Sequence, residues 1–376
     1  MTADRTDRAR YVMIGGFLGA GKTTALLALA RHLSERGLRA GLITNDQSTS
    51  LVDTTILRAQ GFPVEEIAGG CFCCRFDSLN QAAAKLTRDT RPDVFVAEPV
   101  GSCTDLVATV SYPLRRIYGD RFTIAPLSVM VDPLRAARIF GLAEGRSFSA
   151  KVVYVYRKQL EEADLIVVNK CDQVDDQLRD RLRAELETAF PRAEVLCCSA
   201  LRGDGLHSWF ERLLATESTE ARTMAVDYDT YAEGEALLGW LNGTVRLRSP
   251  ELLDGNRLLL ELTAAITRSM RQAEREIAHL KMTLEAAGAG GNLSVVSVVG
   301  SDARPDLRES LFDLVSEGTL IVNLRAEADP ELLYEITAGA LEEAARARPG
   351  ASLRVEHVER FRPARPVPTH RILVPG

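Results

Sequence analysis

Three short stretches hold residue types whose spacing suits chemistry. "GGCFCC", residues 69–74, sets Cys71, Cys73 and Cys74 within four positions behind two glycines. "GFLGAGKT", Gly16 to Thr23, fits the phosphate-loop pattern G-x-x-x-x-G-K-[ST]. "NKCD", Asn169 to Asp172, fits N-K-x-D. In the phosphate loop, Gly16, Gly19 and Gly21 let backbone N–H groups turn toward phosphate oxygens, and the helix that follows adds partial positive charge. Lys22 is expected to reach the β- and γ-phosphates. The Thr23 hydroxyl is expected to bind Mg²⁺, with Thr24 completing the set. The Asp172 carboxylate can accept two hydrogen bonds from guanine N1–H and its 2-amino group. Adenine lacks that donor pair, so a buried carboxylate left unpaired penalises ATP. Lys170 packs its stem along the base beside Asn169. In "CSA", the backbone at Ser199 and Ala200 can face the guanine oxygen.

The cysteines admit three readings. As core, thiols are small and often buried, but two glycines before three cysteines make a poor strand or helix. As redox chemistry, Cys71 and Cys74 form a C-x-x-C, without thioredoxin-like surroundings. As metal ligands, three thiolates within one turn converge on one soft or borderline ion, with Zn²⁺ the default. The metal reading is the strongest of the three. Three local ligands leave a fourth position to be filled from elsewhere, which suits a site that releases its ion. Cys103, Glu66 and a water are the candidates for that position; the bland alternative for Cys103 is that it starts a helix and packs inward. Cys197 and Cys198 read as strand-core thiols, and Cys171 as an incidental occupant of the variable slot of N-K-x-D.

The elements around these stretches follow from hydrophobic patterning. Between residue 11 and about 215, the apolar runs "YVMIGG", "RAGLIT", "DVFVAE", "LSVMVD", "DLIVVN" and "AEVLCCSA" alternate with helical patterns. Consecutive apolar positions suit parallel strands covered on both faces. "TTALLALARHLSERG" places Leu26, Leu29 and Leu33 at helical spacing, with Gly37 as a stop. The phosphate loop therefore joins a strand to a helix, as the motif requires. A polar stretch at 216–229 reads as a linker. Beyond it comes a β-α-β-β-α-β order with an interruption at 288–316 and a Pro- and Arg-rich extended tail. Its first helix is read as "NRLLLELTAAITRSMRQAEREIAHL", ending in a solvated charged face at "QAEREIAHLK". The expected fold class is α/β: a phosphate-loop domain with a mainly parallel sheet over residues 1–222, then a smaller ferredoxin-like α/β domain over 223–376 that carries the tail.

Composition narrows the function. The chain of 376 residues has a formal net charge of -6, which argues against nucleic-acid binding. The polar start "MTADRTDRAR" lacks a signal-peptide core, and no apolar run approaches the ~20 residues needed to cross a bilayer. A cytoplasmic protein is expected, in which the seven cysteines stay reduced.

Taken together, "GGFLGAGKTT", "GGCFCC", "EPVG" at 98–101 and "NKCD" resemble the CobW-like GTPases, relatives of the urease and hydrogenase nickel-insertion GTPases. The resemblance covers the first ~215 residues and implies slow hydrolysis of GTP to GDP and phosphate, a Mg²⁺ site, and delivery of a transition metal (Zn²⁺, or Co²⁺) to a client metalloprotein. It places the cysteine triplet Cys71, Cys73 and Cys74 at the metal site, between two switch regions. In "TNDQSTSLVD", Asn45 and Asp53 match the family's first switch. Asp46 stands for its first Glu, within reach of Mg²⁺ or its waters, and Thr49 replaces the second. Glu98 and Gly101 match the family's Glu-x-x-Gly. By that match Glu98 holds Mg²⁺ through water or polarises the attacking water, and the Gly101 N–H meets the γ-phosphate. The catalytic set implied is Lys22, Glu98 and Asp46. The alternatives are a GTPase chaperone of a cobalamin or other cofactor enzyme with structural cysteines, and a non-catalytic nucleotide-dependent docking switch. No membrane partner is expected, and a homodimer is left open.

Overall fold

The computed structural model describes residues 8–46, 54, 57–58, 60–119, 121–218, 223–288 and 292–373. The chain divides into two compact units. One comprises Met1–Glu144, Val153–Tyr231 and Pro366–Gly376, the other Gly145–Val152 and Ala232–Arg365. The sequence assigns the terminal tail to the second domain, whereas the structure groups Pro366–Gly376 with the first unit. The reason is local. Backbone N–H groups of the tail find acceptors there: Thr369 N–H donates to Cys73 O at 2.8 Å and Ile372 N–H to Ala108 O at 3.0 Å.

The first unit is built on a sheet of strands β1 (Ala9–Gly16), β2 (Ala40–Asp46), β3 (Val64–Ala68), β4 (Val94–Glu98), β5 (Phe122–Ile124), β6 (Ser128–Val131), β7 (Leu165–Val168) and β8 (Glu194–Cys197). Their spatial order is β3-β2-β4-β1-β6-β7-β8, with β5 also paired to β1. Every described pairing is parallel. The central runs are apolar at consecutive positions because both faces are covered: Val94 to Ala97, Ser128 to Val131 and Leu165 to Val168 are all buried. Strands β3 and β5 escape the apolar-run reading. The first, "VEEIA", is an edge strand with only Val64 and Ile67 buried, and the second is three residues long.

The helix Lys22–Glu35 presents Leu26, Leu29 and Leu33 to this core, and Gly37 follows its end in a left-handed turn (φ 70). The helix Phe76–Thr90 buries Phe76, Leu79, Ala83 and Leu86 at helical spacing. Because parallel strands all end on one edge, β1, β2, β4, β7 and β8 deliver the phosphate loop, Asn45, Glu98, Asn169 and the "CSA" stretch to the same side of the sheet.

The second unit has β9 (Leu238–Leu253), β10 (Glu276–Ala286), β11 (Leu293–Val298), β12 (Asp306–Glu309), β13 (Val315–Glu327) and β14 (Ser352–Phe361) in the order β12-β11-β10-β13-β9-β14. All its described pairings are antiparallel. The order β14-β9-β13-β10, with helices Gly255–Gln272 and Pro330–Arg346 as crossovers, is the ferredoxin-like arrangement, and β11 and β12 extend one edge. The first of these helices is shorter than the sequence indicates. It ends at Gln272, Glu274 turns left-handed (φ 57), and "EIAHL" opens β10 with Ile277, Ala278 and Leu280 buried. The charged face expected at "QAEREIAHLK" is thus a helix end and a core strand.

Candidate nucleotide and metal site

The phosphate loop is held by contacts with the base motif. A Cβ on Gly21 (φ 93) would lie 2.4 Å from Asn169 Nδ2, so only glycine lets the two loops approach so closely. Asn169 donates to Ala20 O at 2.9 Å and accepts from the Ala200 N–H at 2.9 Å, joining the phosphate loop to the "CSA" loop. Lys170, itself left-handed (φ 57), donates to Gly19 O at 2.7 Å and pairs with Asp132 at 2.9 Å. Asp172 is nearly buried, and its carboxylate meets Arg202 at 3.5 Å. The Ser199 hydroxyl accepts from the Arg202 N–H at 3.2 Å. Gly16 ends β1, Gly19 and Thr24 lie on the phosphate loop and the helix after it, and Ser199 and Ala200 follow β8 at the same edge of the sheet.

Sequence reasoning missed Asp132. Its side chain caps the helix Pro133–Ile139 by accepting from the Arg135 N–H at 3.0 Å, and its other oxygen holds Lys170. Burial pushes its pKa up, but Lys170 and Arg135 outweigh that and hold it below the usual carboxylate range. The pattern Asp-Pro at the start of a helical run was the available signal.

Lys22 is buried, and its Nζ stands 3.8 Å from Glu98 Oε1. The Thr23 hydroxyl donates to the same oxygen at 3.2 Å. The three residues expected to handle phosphate, Mg²⁺ and water are thus brought together. The chemistry fits a hydrated divalent cation, since a hydroxyl and a carboxylate oxygen converge beside a buried ammonium. Asp46 ends β2, its backbone in register with Ala68, and its side chain lies outside the described structure. Thr49 and Asp53 lie outside the described residues.

From Glu98 the chain enters a loop that touches a series of elements. A Cβ on Gly101 would lie 2.9 Å from Leu18 N and 2.8 Å from Leu18 Cδ2, so the glycine permits close contact with the phosphate loop. Gln159 fixes the loop by donating to Gly101 O at 3.0 Å and Cys103 O at 2.8 Å. Asp105, in left-handed backbone (φ 64), accepts from Tyr228 Oη at 2.7 Å and Arg371 Nε at 2.6 Å. Thr104 Oγ1 and the Val107 N–H both donate, at 3.1 Å, to the buried carboxyl of Glu162. Burial drives that carboxyl up to about 8.

The cysteines occupy a tight turn at the start of the helix Phe76–Thr90. The Cys74 and Arg75 N–H groups both donate to Cys71 O, at 3.0 and 2.9 Å. Asn45 Nδ2 stitches the turn to β2 through Ile67 O at 2.9 Å and Gly70 O at 2.6 Å. The Sγ atoms of Cys71 and Cys73 are 2.8 Å apart, those of Cys71 and Cys74 3.1 Å, and those of Cys73 and Cys74 3.7 Å. A tetrahedral ion with bonds of about 2.3 Å needs sulfurs about 3.8 Å apart, so a modest spreading of the turn accommodates one. Among the described residues, this is the one cluster of His, Cys, Asp and Glu with three such ligand atoms in mutual reach. Hydrogen bonds from neighbouring thiols, Cys103 first, hold Cys71 well below the usual thiol range, while the same contacts push Cys73 up. Cys74 is pushed up to about 11, chiefly through Cys71. The turn leads directly into the N-terminus of the helix Phe76–Thr90, whose dipole is positive at that end.

Cys103 is buried and hydrogen-bonded through its side chain to both Cys71 and Cys73. Glu66 sits on β3 in register with Thr44. Cys198 is a core thiol as expected. Cys197 is half-buried instead, hydrogen-bonded to Cys171, and lowered to about 7 by that contact and by Arg183 and Arg179. Cys171 therefore has a partner.

The fold and the converging motifs define a phosphate-loop nucleotide-binding protein with an adjoining thiol cluster. The chain belongs to the CobW/HypB/UreG family, whose nucleotide-binding domain matches residues 10–197. It is 28% identical over 220 residues to "Zinc chaperone CobW" of Sinorhizobium sp, covering 52% of this chain and 61% of that one. It is 29% identical over 177 residues to "Zinc chaperone YeiR" of Escherichia coli, covering 46% and 50%. A probable GTPase of Mycobacterium tuberculosis is 28% identical over 271 residues, covering 66% and 75%. The chain thus spans half to three-fifths of the length of the two zinc chaperones. Among solved structures, Zn(II)-bound YjiA GTPase from E. coli aligns over 89% of this chain and 99% of its own, with a TM-score of 0.37 at 16% identity. No described helix is long and apolar enough to cross a membrane.

Proposed function

We propose that this protein is a GTP-hydrolysing metallochaperone that binds a transition ion, Zn²⁺ by default, at Cys71, Cys73 and Cys74 and delivers it to a client metalloprotein. The observation that carries this reading is the loop from Glu98 to Asp105. One end touches Thr23 and Lys22, its middle touches Leu18, and Cys103 touches the thiol cluster. A loop that feels the γ-phosphate at Gly101 is therefore in contact with the metal turn. The names of the relatives, zinc chaperones and a probable GTPase, support the same reading.

In this reading Asn169, Lys170 and Asp172 select guanine, and Gly16, Gly19, Gly21, Thr24, Ser199 and Ala200 shape the pocket. Mg²⁺, when bound, neutralises charge on the β- and γ-phosphates. Lys22 adds positive charge at the same oxygens. Glu98 orients a water toward the γ-phosphate, and the Gly101 N–H senses whether that phosphate is present. The residues up to 222 carry the nucleotide and metal sites, and the ferredoxin-like domain beyond 223 serves the client. Single-turnover GTP cleavage tests the assignment. Lys22→Ala and Glu98→Ala should each lose at least a hundredfold in rate with unchanged circular dichroism. Wild-type rates in a folded Glu98→Ala protein would reassign Glu98 to packing. Zinc titration with and without GTP separates this reading from a GTPase with purely structural cysteines, for which affinity is blind to nucleotide.

A further inference from the structure

A fourth thiol reaches the metal turn, in contact with two of its three cysteines. Cys103 comes from another part of the chain, the loop after β4, and reaches Cys71 and Cys73 with its side chain. Its backbone is fixed on both sides: the N–H donates to Val100 O at 3.0 Å and the carbonyl accepts from Gln159 at 2.8 Å. The side chain is almost completely buried, so its thiol faces the cluster and not solvent. A four-sulfur shell is tetrahedral and closed, and prefers Zn²⁺ or Cu(I) over harder ions.

Resting on the metal-site reading above, we propose that Cys103 is the fourth ligand of the ion held by Cys71, Cys73 and Cys74, and that it is the ligand which nucleotide state inserts or withdraws. A closed four-thiolate site holds its ion too firmly for a carrier unless one ligand can leave. The turn that carries the other three cysteines is closed locally, by the Cys74 and Arg75 N–H groups donating to Cys71 O. Cys103 sits two residues beyond Gly101, on the loop that packs against the phosphate loop at Leu18. Movement of that loop on loss of the γ-phosphate pulls one sulfur out and opens a coordination position to a client's ligand. The ion is exchanged without change of oxidation state; a Zn–S bond breaks and a bond to the incoming ligand forms.

The test uses the full chain. Zn²⁺ affinity is measured by chelator competition for wild type, Cys71→Ser and Cys103→Ser, each with a non-hydrolysable GTP analogue and with GDP. X-ray absorption at the zinc edge of the loaded wild type counts the sulfurs without any substitution. The expected result is four sulfurs with the GTP analogue, a loss of tenfold or more in Cys103→Ser, and disappearance of the GTP-versus-GDP difference in that variant. Three sulfurs with one lighter ligand, or an unchanged affinity in Cys103→Ser while Cys71→Ser loses binding, overturns the role of Cys103 and leaves the three-cysteine site standing. A wild type that binds no zinc in either nucleotide state overturns both.

Discussion

Arg371, in the tail after β14, closes on Asp105 at 2.6 Å, in the loop that runs from Glu98 past the thiol cluster. The carboxylate is buried, and the same oxygen also accepts from Tyr228 Oη at 2.7 Å. Around this pair the tail lies along the cysteine turn: Val367 N–H donates to Cys74 Sγ at 3.3 Å, Thr369 Oγ1 to Cys74 O at 3.2 Å, and His370 stacks edge-on against Phe76 at 5.0 Å. The tail thus contributes a hydrogen bond to one of the proposed metal ligands.

Arg371→Ala should therefore loosen the tail and cost stability. Asp105 keeps Tyr228 as a donor but loses its charge partner, so the expected cost is about 1–3 kcal/mol. The two tryptophans make this measurable, since Trp209 belongs to the first unit and Trp240 to the second. In a Trp240→Phe background, urea unfolding followed by Trp209 fluorescence reports the first unit alone. Hydrogen exchange at the Val367, Thr369 and Ile372 amides should rise at least tenfold. Unchanged exchange would mean that the tail is held by its backbone contacts without the ion pair.

Glu162 predicts a pH dependence. Its carboxyl is raised by burial, with Asp105 also raising it, from 4.5 to about 8, against the hydrogen bonds from Val107 and Thr104. The native state therefore keeps a proton that the unfolded chain releases. The associated stability is complete below pH 4.5 and declines as pH rises toward 8, by about 3–5 kcal/mol in all. Wild type should lose stability between pH 6 and pH 9 in the same fluorescence assay, and Glu162→Gln should lose less. Parallel pH profiles for the two proteins would show that Glu162 does not titrate in this range.

What was legible in the sequence was local. Gly16 to Thr23 and Asn169 to Asp172 carry their chemistry in consecutive residues, and both lie at strand ends as read. The apolar runs gave six of the parallel strands because burial on both faces leaves continuous hydrophobic segments. The helix ending at Gln272 was misread because Ile266, Met270, Ile277 and Leu280 continue a near-helical spacing across the turn, and nothing in the residue type of Glu274 announces its left-handed backbone. Cys103 stands among the candidates for the fourth position with Glu66 and a water, but which of them approaches Cys71 depends on the path of the loop after β4, which local residue types do not decide. The pairing of Arg371 with Asp105 is hidden for the same reason.

Asp172 gives a specificity prediction. With guanine bound, its carboxylate exchanges the exposed Arg202 for two base donors; adenine offers neither. Competition binding should show GTP at least tenfold tighter than ATP, corresponding to ~1.4 kcal/mol or more. Asp172→Ala should erase most of that preference by weakening GTP while leaving ATP nearly unchanged. Equal affinities in the wild type would remove the guanine assignment.

The pair Asp132 and Lys170 separates two roles in one side chain. One carboxylate oxygen caps the helix Pro133–Ile139, and the other anchors Lys170, whose ammonium also reaches Gly19 O. Asp132→Ala removes both roles. It should cost about 1 kcal/mol for the lost cap, plus the effect of leaving Lys170 without its counter-charge. Asp132→Asn retains an oxygen that can cap but carries no charge. Lys170 then keeps only Gly19 O of its two anchors, and the platform proposed for the base is weakened. The Asn variant should be about 1 kcal/mol more stable than the Ala variant, the difference being the cap, while its affinity for a fluorescent GDP analogue falls roughly threefold to tenfold. The Ala variant should show the same loss of affinity together with the lower stability. If the Asn variant binds as wild type does and only the Ala variant is impaired, Asp132 acts through the helix cap alone and Lys170 is positioned by Gly19.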